Sequence, residues 1–183
     1  MFAIVYQNIH ILTELMVQRI KGSGMTLKKV IKIFGIVITV IFVFIQFIQP
    51  ARTNPAVDPA VTLQTALKPS AAVSSLLHRA CRDCHSNETQ WPFYAYIAPV
   101  SWLVSYDVAE GRKHFNMSEW GKYTVNKKLQ KLSGIYQSVN DKSMPLPKYI
   151  PLHPTADLTA AERDTLSQWA QREGEKLMGS DEE

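Results

Sequence analysis

Cysteine is scarce in this 183-residue chain: there are two, and they stand close together, at Cys81 and Cys84. Two thiols cannot staple a disulfide-rich scaffold, nor supply a four-thiolate zinc site by themselves. No stretch repeats at a fixed interval and no block is of low complexity, which excludes solenoid arrays and collagen-like polymers. Acidic charge is almost missing from residues 1–49, where Glu14 faces Arg19, Lys21, Lys28, Lys29 and Lys32. That segment accounts for the whole net charge of +4, and residues 50–183 balance. The excess therefore lies beside an apolar stretch, and no field remains elsewhere to steer a polyanion, so nucleic acid is excluded as a partner. At 46% hydrophobic and 20% charged residues the chain has room for one folded domain plus an anchor or tail.

The apolar stretch reads VIKIFGIVITVIFVFIQFI from Val30 to Ile48. As a helix it would rise roughly 28 Å, which predicts a transmembrane helix over residues 30–48 with Lys32 snorkelling to the interface. Lys28, Lys29 and Lys32 precede it while only Arg52 follows closely. The positive-inside rule then predicts a single-pass protein of the cytoplasmic (inner) membrane, with everything after Pro50 periplasmic or otherwise extracytoplasmic. The following Gln49-Pro50-Ala51-Arg52 lacks a small-x-small cleavage site, which favours an uncleaved anchor. In the N-terminal cytoplasmic segment, residues 1–29, Val5, Ile9, Leu12 and Met16 share one helical stripe and suit an interfacial helix. A chain starting at Met25 would instead begin MTLKKVIKIFG, a compact basic lead-in, and both readings stand. Pro50, Pro55, Pro59 and Pro69 predict a Pro-rich linker over residues 49–69, a semi-rigid stalk reaching up to roughly 60 Å, with a short helix over 61–67 as the alternative. Residues 70–178 then form the functional domain, followed by an acidic tail at 179–183.

That domain opens with AAVSSLLHRACRDCHS, a helix with Ser70 as N-cap after Pro69 and an apolar stripe of Ala71, Val73, Leu76, Leu77 and Ala80. It leads into Cys81-Arg82-Asp83-Cys84-His85, and C-x-x-C-H is the pattern of c-type haem attachment. Residues three and four apart share a helix face, so the two thiols can each reach a haem vinyl group while His85 offers an imidazole to the iron. Two rivals use the same residues. A redox dithiol lacks the βαβ context it would need, and a zinc site lacks a second pair of ligands.

Beyond these five residues the chain resembles the small haem-binding domain family, cytochrome c-like and often membrane-tethered proteins of bacteria. The resemblance runs through residues 81–120, where S-x-x-T-x-W-P-x-Y from Ser86 to Tyr94 is distinctive, and resumes over SMPLPKYIPLHPTADLTAAERDTLSQWA at 143–170. It implies one covalently bound haem, Cys81 and Cys84 as attachment sites and His85 as proximal ligand. It implies no established substrate.

The rest of the domain has to wall the haem from water. Trp91, Phe93, Tyr94, Tyr96, Trp102, Tyr106, Phe115, Trp120 and Tyr123 fall between positions 91 and 123, and Trp91 and Trp102 are candidates to stack on the porphyrin. A helix is predicted from Val100 to Glu110 with Gly111 just beyond its end, and Arg112 is a candidate partner for a haem propionate. A second helix over 125–139 carries Val125, Leu129, Leu132, Tyr136 and Val139 on one stripe; Lys127, Lys128 and Lys131 on its other face are solvated or meet an acidic redox partner. Met144, in a proline-stiffened loop, is the first candidate for the distal ligand; His153 is the alternative, followed by His114 and Met117. A capping box at Thr159 and Glu162 starts a C-terminal helix with Leu166, Trp169 and Ala170 facing inward. The reading is an all-α, cytochrome c-like monohaem domain with one N-terminal transmembrane helix, working as a one-electron carrier rather than an enzyme. A haem-based sensor or peroxidase-like enzyme with a displaceable sixth ligand, and a haemless zinc or thiol module, are the alternatives.

Overall fold

The computed structural model describes residues 26–179, and among these every regular element is helical. The interfacial stripe at Val5–Met16, the start at Met25 and most of the acidic tail lie outside the described residues. The chain divides into two compact units, with the boundary between Ile48 and Gln49.

The first unit contains helix α1, Leu27–Ile45. It begins earlier than expected, taking in Lys28 and Lys29, and ends earlier, with turns over Gln46 and Phe47. Its lysine-free part, residues 33–45, therefore rises only about 20 Å against a hydrocarbon core of about 30 Å. The expected spanning helix over 30–48 is not found: no helix among the described residues is long and apolar enough to cross a membrane. None of its side chains is buried, and Phe34, Ile41 and Phe44 are all exposed.

The second unit begins at Gln49 and overturns the reading of 49–69 as a free stalk. Asn54 donates to Thr89 O, and Arg112 reaches back to Thr53 O and Asn54 Oδ1. Asp58 caps a 3-10 turn at Pro59–Val61, and Thr62 caps the short helix α2, Leu63–Leu67. Leu63 is fully buried in the main core, and Val61 lies against Gly121. The prolines do break regular hydrogen bonding, but the apolar residues between them find a home on the domain, and burial outweighs the preference for an extended spacer.

Ser70 accepts from Val73 N–H and opens helix α3, Ala71–Ala80. The helix breaks at Cys81, and a separate turn α4, Arg82–His85, follows. Helix α5, Val100–His114, runs past the expected stop at Glu110, so Gly111 lies inside it. Helix α6, Val125–Asn140, is capped by Thr124 and buries Leu132 and Val139. Helix α7, Ala160–Gly179, starts at the expected capping box: Thr159 Oγ1 accepts from Glu162 N–H, and Glu162 Oε2 accepts from Thr159 N–H. α7 packs on α6 and on α3. Between them lies one core in which Leu76 and Leu77 meet Phe115, Trp120, Leu166 and Trp169. Phe115, Trp120 and Tyr123 form a chain of edge-on ring contacts, so these aromatics are structural.

Candidate functional site

The break at Cys81 turns α4 away from α3 and lays the C-x-x-C-H segment against α5. The approach is close enough to require glycine. A Cβ on Gly111 would stand 2.4 Å from the Cys84 carbonyl oxygen and 3.0 Å from its Cβ. From the sequence Gly111 reads as a helix terminator, because glycine suits the position after a last turn; the requirement for space arises from a contact 27 positions away, which no local pattern carries.

The same contact sets the histidine. His85 Nδ1 lies 2.9 Å from Gly111 O and 3.0 Å from Phe115 O. Both are acceptors, so Nδ1 carries the proton and donates, which leaves a lone pair on Nε2. Nε2 has no hydrogen-bond partner among the described residues, and the side chain lines a cleft. Burial lowers the pKa of His85 against the pull of these two carbonyls, favouring the neutral imidazole that binds metals. Burial also pushes the Cys81 thiol up to about 12, helped by Cys84, and the Cys84 thiol up to about 11, helped by Asp107 and Asp83. The two cysteines are free, not paired as a disulfide. Thiols held protonated make poor redox nucleophiles, which speaks against the dithiol alternative. Among the described residues no three His, Cys, Asp or Glu side chains form a group that could hold a metal ion, as a zinc module would need.

Cys81, Cys84, His85 and Met144 line one cleft of about 780 Å³ of empty, partly solvent-open space, walled by Ala80, Pro145, Leu146 and Tyr149. A second cleft adjoins it across Cys81, His85, His114 and Met144. A third adjoins it across Cys84, Asp107, Leu146 and Tyr149. Apolar walls, two unpaired thiols and one prepared imidazole nitrogen suit a large flat apolar group with a single metal, and the residues present fit a haem.

Met144 is held by its backbone. Its N–H donates to Ser138 O at 3.0 Å, and its carbonyl accepts from Arg163 at 2.7 Å. Arg163 is buried and also donates to Val139 O and Leu158 O, so one guanidinium ties α6, the Met144 loop and the start of α7 together. Nothing in the sequence pattern marked it, since arginine at the start of a helix reads as solvated.

The other expected residues are placed elsewhere. His153 lies in the third cleft, stacked on Tyr149 at 3.7 Å, with the Tyr94 hydroxyl 3.2 Å from Nε2. His114 is exposed beside Glu110 and lines the first two clefts. Met117 is buried in the core. Trp91 and Trp102 line none of the three clefts. Arg112 does not line them either: its guanidinium donates to Ser86 O, Thr53 O, Asn54 Oδ1 and Thr89 Oγ1, so its donors are taken by loops. Tyr149, which sequence reasoning passed over, borders two clefts and donates its hydroxyl to Asp83 Oδ2 at 3.0 Å. Burial and Asp83 raise its pKa, keeping the hydroxyl protonated for that bond.

No curated protein and no solved structure matches the chain. Comparison with known families, however, matches residues 40–172, most of the chain, to the haem-binding domain family. The protein is a member of that haem-binding domain family.

Proposed function

We propose that this haem-binding protein carries a single c-type haem and works as a one-electron carrier on the extracytoplasmic side of a bacterial membrane. One observation carries the reading: Cys81, Cys84 and a His85 whose Nδ1 is committed to two carbonyls all line the same cleft. Cys81 and Cys84 would hold the porphyrin through thioethers, and His85 Nε2 would hold the iron. When bound, haem supplies a reversible Fe(III)/Fe(II) couple. The chain's own part is to fix the imidazole's tautomer through Gly111 and Phe115, and to exclude water with Leu146, Pro145 and Tyr149. Met144, pinned by Arg163, is the proposed second axial ligand. No side chain is assigned acid–base or nucleophilic work.

Membrane attachment belongs to the same reading. Its support is the exposed apolar stretch from Ile33 to Ile48, with Lys28, Lys29 and Lys32 at one end. Covalent haem attachment, a process of the compartment outside the cytoplasmic membrane, agrees with a domain placed beyond that stretch.

Covalent haem staining on a denaturing gel, after expression with cytochrome c maturation machinery, tests the reading. The full chain should stain, and Cys81→Ala and Cys84→Ala together should abolish the stain. A colourless polypeptide with the mass of the bare chain would overturn it. Rapid binding of carbon monoxide by the holoprotein would replace the carrier with the sensor or peroxidase-like alternative. Alkaline carbonate extraction of membranes checks the attachment.

A further inference from the structure

Residues 89–106, TQWPFYAYIAPVSWLVSY, contain no Asp, Glu, Lys, Arg or His. Such a run belongs in a core, yet much of it faces outward. Phe93, Tyr96, Ile97, Val100, Leu103 and Tyr106 are between 41% and 79% exposed. Val100, Leu103 and Tyr106 recur at three-residue spacing on one face of α5. Phe93 and Tyr96 belong to a 3-10 turn, Phe93–Tyr96, that packs against that helix, and Ile97 follows it. Val100 and Leu103 also border the third cleft, so the outward set proper is Phe93, Tyr96, Ile97 and Tyr106; the inward faces of the segment hold buried Ala95, Ala98 and Ser101, and this set is not awaiting a place in the domain's core. An aromatic surface of this extent marks an interaction site.

The chain itself indicates what covers it. Arg52 sits with its guanidinium 4.4 Å over the Tyr96 ring and donates to Ala95 O and to Gln49 Oε1. Ile48, the last residue of the apolar stretch, is four positions before Arg52, a tether of at most about 14 Å when fully extended. Whatever layer receives Ile48 is therefore within reach of this face. Rings with a polar tip beside an arginine are the composition of a membrane–water interface, where amphipathic aromatics lie at headgroup level. A protein partner would find Arg52 alone to set its register, since residues 89–106 carry no charge, whereas a lipid surface needs no more than that.

We propose that the uncharged aromatic face of residues 93–106 rests on the interfacial layer of the phospholipid bilayer that receives the apolar N-terminal stretch. The proposal rests on the membrane attachment proposed above. It gives the domain a fixed side toward the lipid instead of free rotation about its tether.

The test uses the full-length holoprotein in vesicles of phosphatidylcholine and phosphatidylglycerol. Phe93→Cys and Tyr106→Cys each carry a nitrobenzoxadiazole label, Gln168→Cys on the exposed side of α7 is the reference, and unsubstituted protein taken through labelling is the blank. Shallow doxyl-labelled phosphatidylcholine should quench the labels at 93 and 106 several-fold more than the label at 168. Protein that stays with the vesicles while all three labels remain equally unquenched would overturn the lipid-facing surface and leave attachment standing. Protein recovered wholly free of the vesicles would overturn both. A blue shift that grows with protein concentration in lipid-free detergent would make the face a contact between two copies, and would also overturn the proposal. Two labelled positions guard against one substitution disturbing the turn.

Discussion

Gly111 and Cys84 touch so closely that a single added methyl group would fall 2.4 Å from the Cys84 carbonyl oxygen. The obstacle is backbone, which cannot swing aside as a side-chain tip can. Gly111→Ala should therefore push α5 off the C-x-x-C-H turn at a cost of about 1–3 kcal/mol. It should also loosen the two carbonyls around His85 Nδ1. Denaturant unfolding measures the first effect and haem retention the second. Unchanged stability would mean that the two segments can slide apart freely.

Met144→Ala should abolish the weak charge-transfer band of a methionine–Fe(III) bond in holoprotein that still stains for covalent haem. Arg163→Lys should weaken the same band, because a single ammonium cannot replace donors that reach Met144 O, Val139 O and Leu158 O together. Persistence of the band in Met144→Ala would overturn Met144 as the ligand; its absence from the unsubstituted holoprotein would favour His114 or His153.

Leu63 separates a docked segment from a free spacer. It is fully buried, so Leu63→Ala should destabilise the domain by about 2–5 kcal/mol. A residue in a solvated stalk would change stability by no more than about 0.5 kcal/mol. Thermal or denaturant unfolding of the full chain distinguishes the two.

Glu162 carries an acid-sensitive part of the stability. Thr159 N–H and the Arg79 guanidinium bind its charged form and hold its carboxyl below the usual carboxylate range. A depressed folded pKa means that the contribution is complete above the unfolded value near 4.5 and fades as pH falls through the folded one. Glu162→Gln should be less stable than the unsubstituted chain at neutral pH, and the two curves should converge as the pH drops below that range. A gap that persists in acid would assign the effect to packing.

The features legible in the sequence are those encoded within a few residues. Ser70 and the Thr159–Glu162 box cap their helices as expected, Leu132 and Val139 of the expected stripe reach the core while Tyr136 is exposed, and C-x-x-C-H lines the cleft. What escaped depends on partners far apart in the chain. Gly111 reads as a terminator until Cys84 is seen against it, and Arg163 reads as solvated until Met144 O is found in its reach. The prolines before Ser70 suggest an extended spacer, but Leu63 and Val61 have apolar surface to bury, and tertiary contact overrides local preference. Helix α1 shows the reverse limit. Its apolar run suggests a spanning segment, while the boundaries of the helix depend on where the regular hydrogen bonding starts and stops, and these leave it too short and too charged to cross a membrane.

The paired carbonyls at His85 Nδ1 have a consequence for the order of assembly. Turning the imidazole over about its Cβ–Cγ bond would forfeit both contacts of Nδ1 at once, although Gly111 O would keep the Phe115 N–H, and would point a protonated nitrogen into the cavity. Under the proposed ligation, the donor atom would be aimed before any iron arrives, and incorporation would have no side-chain search to complete.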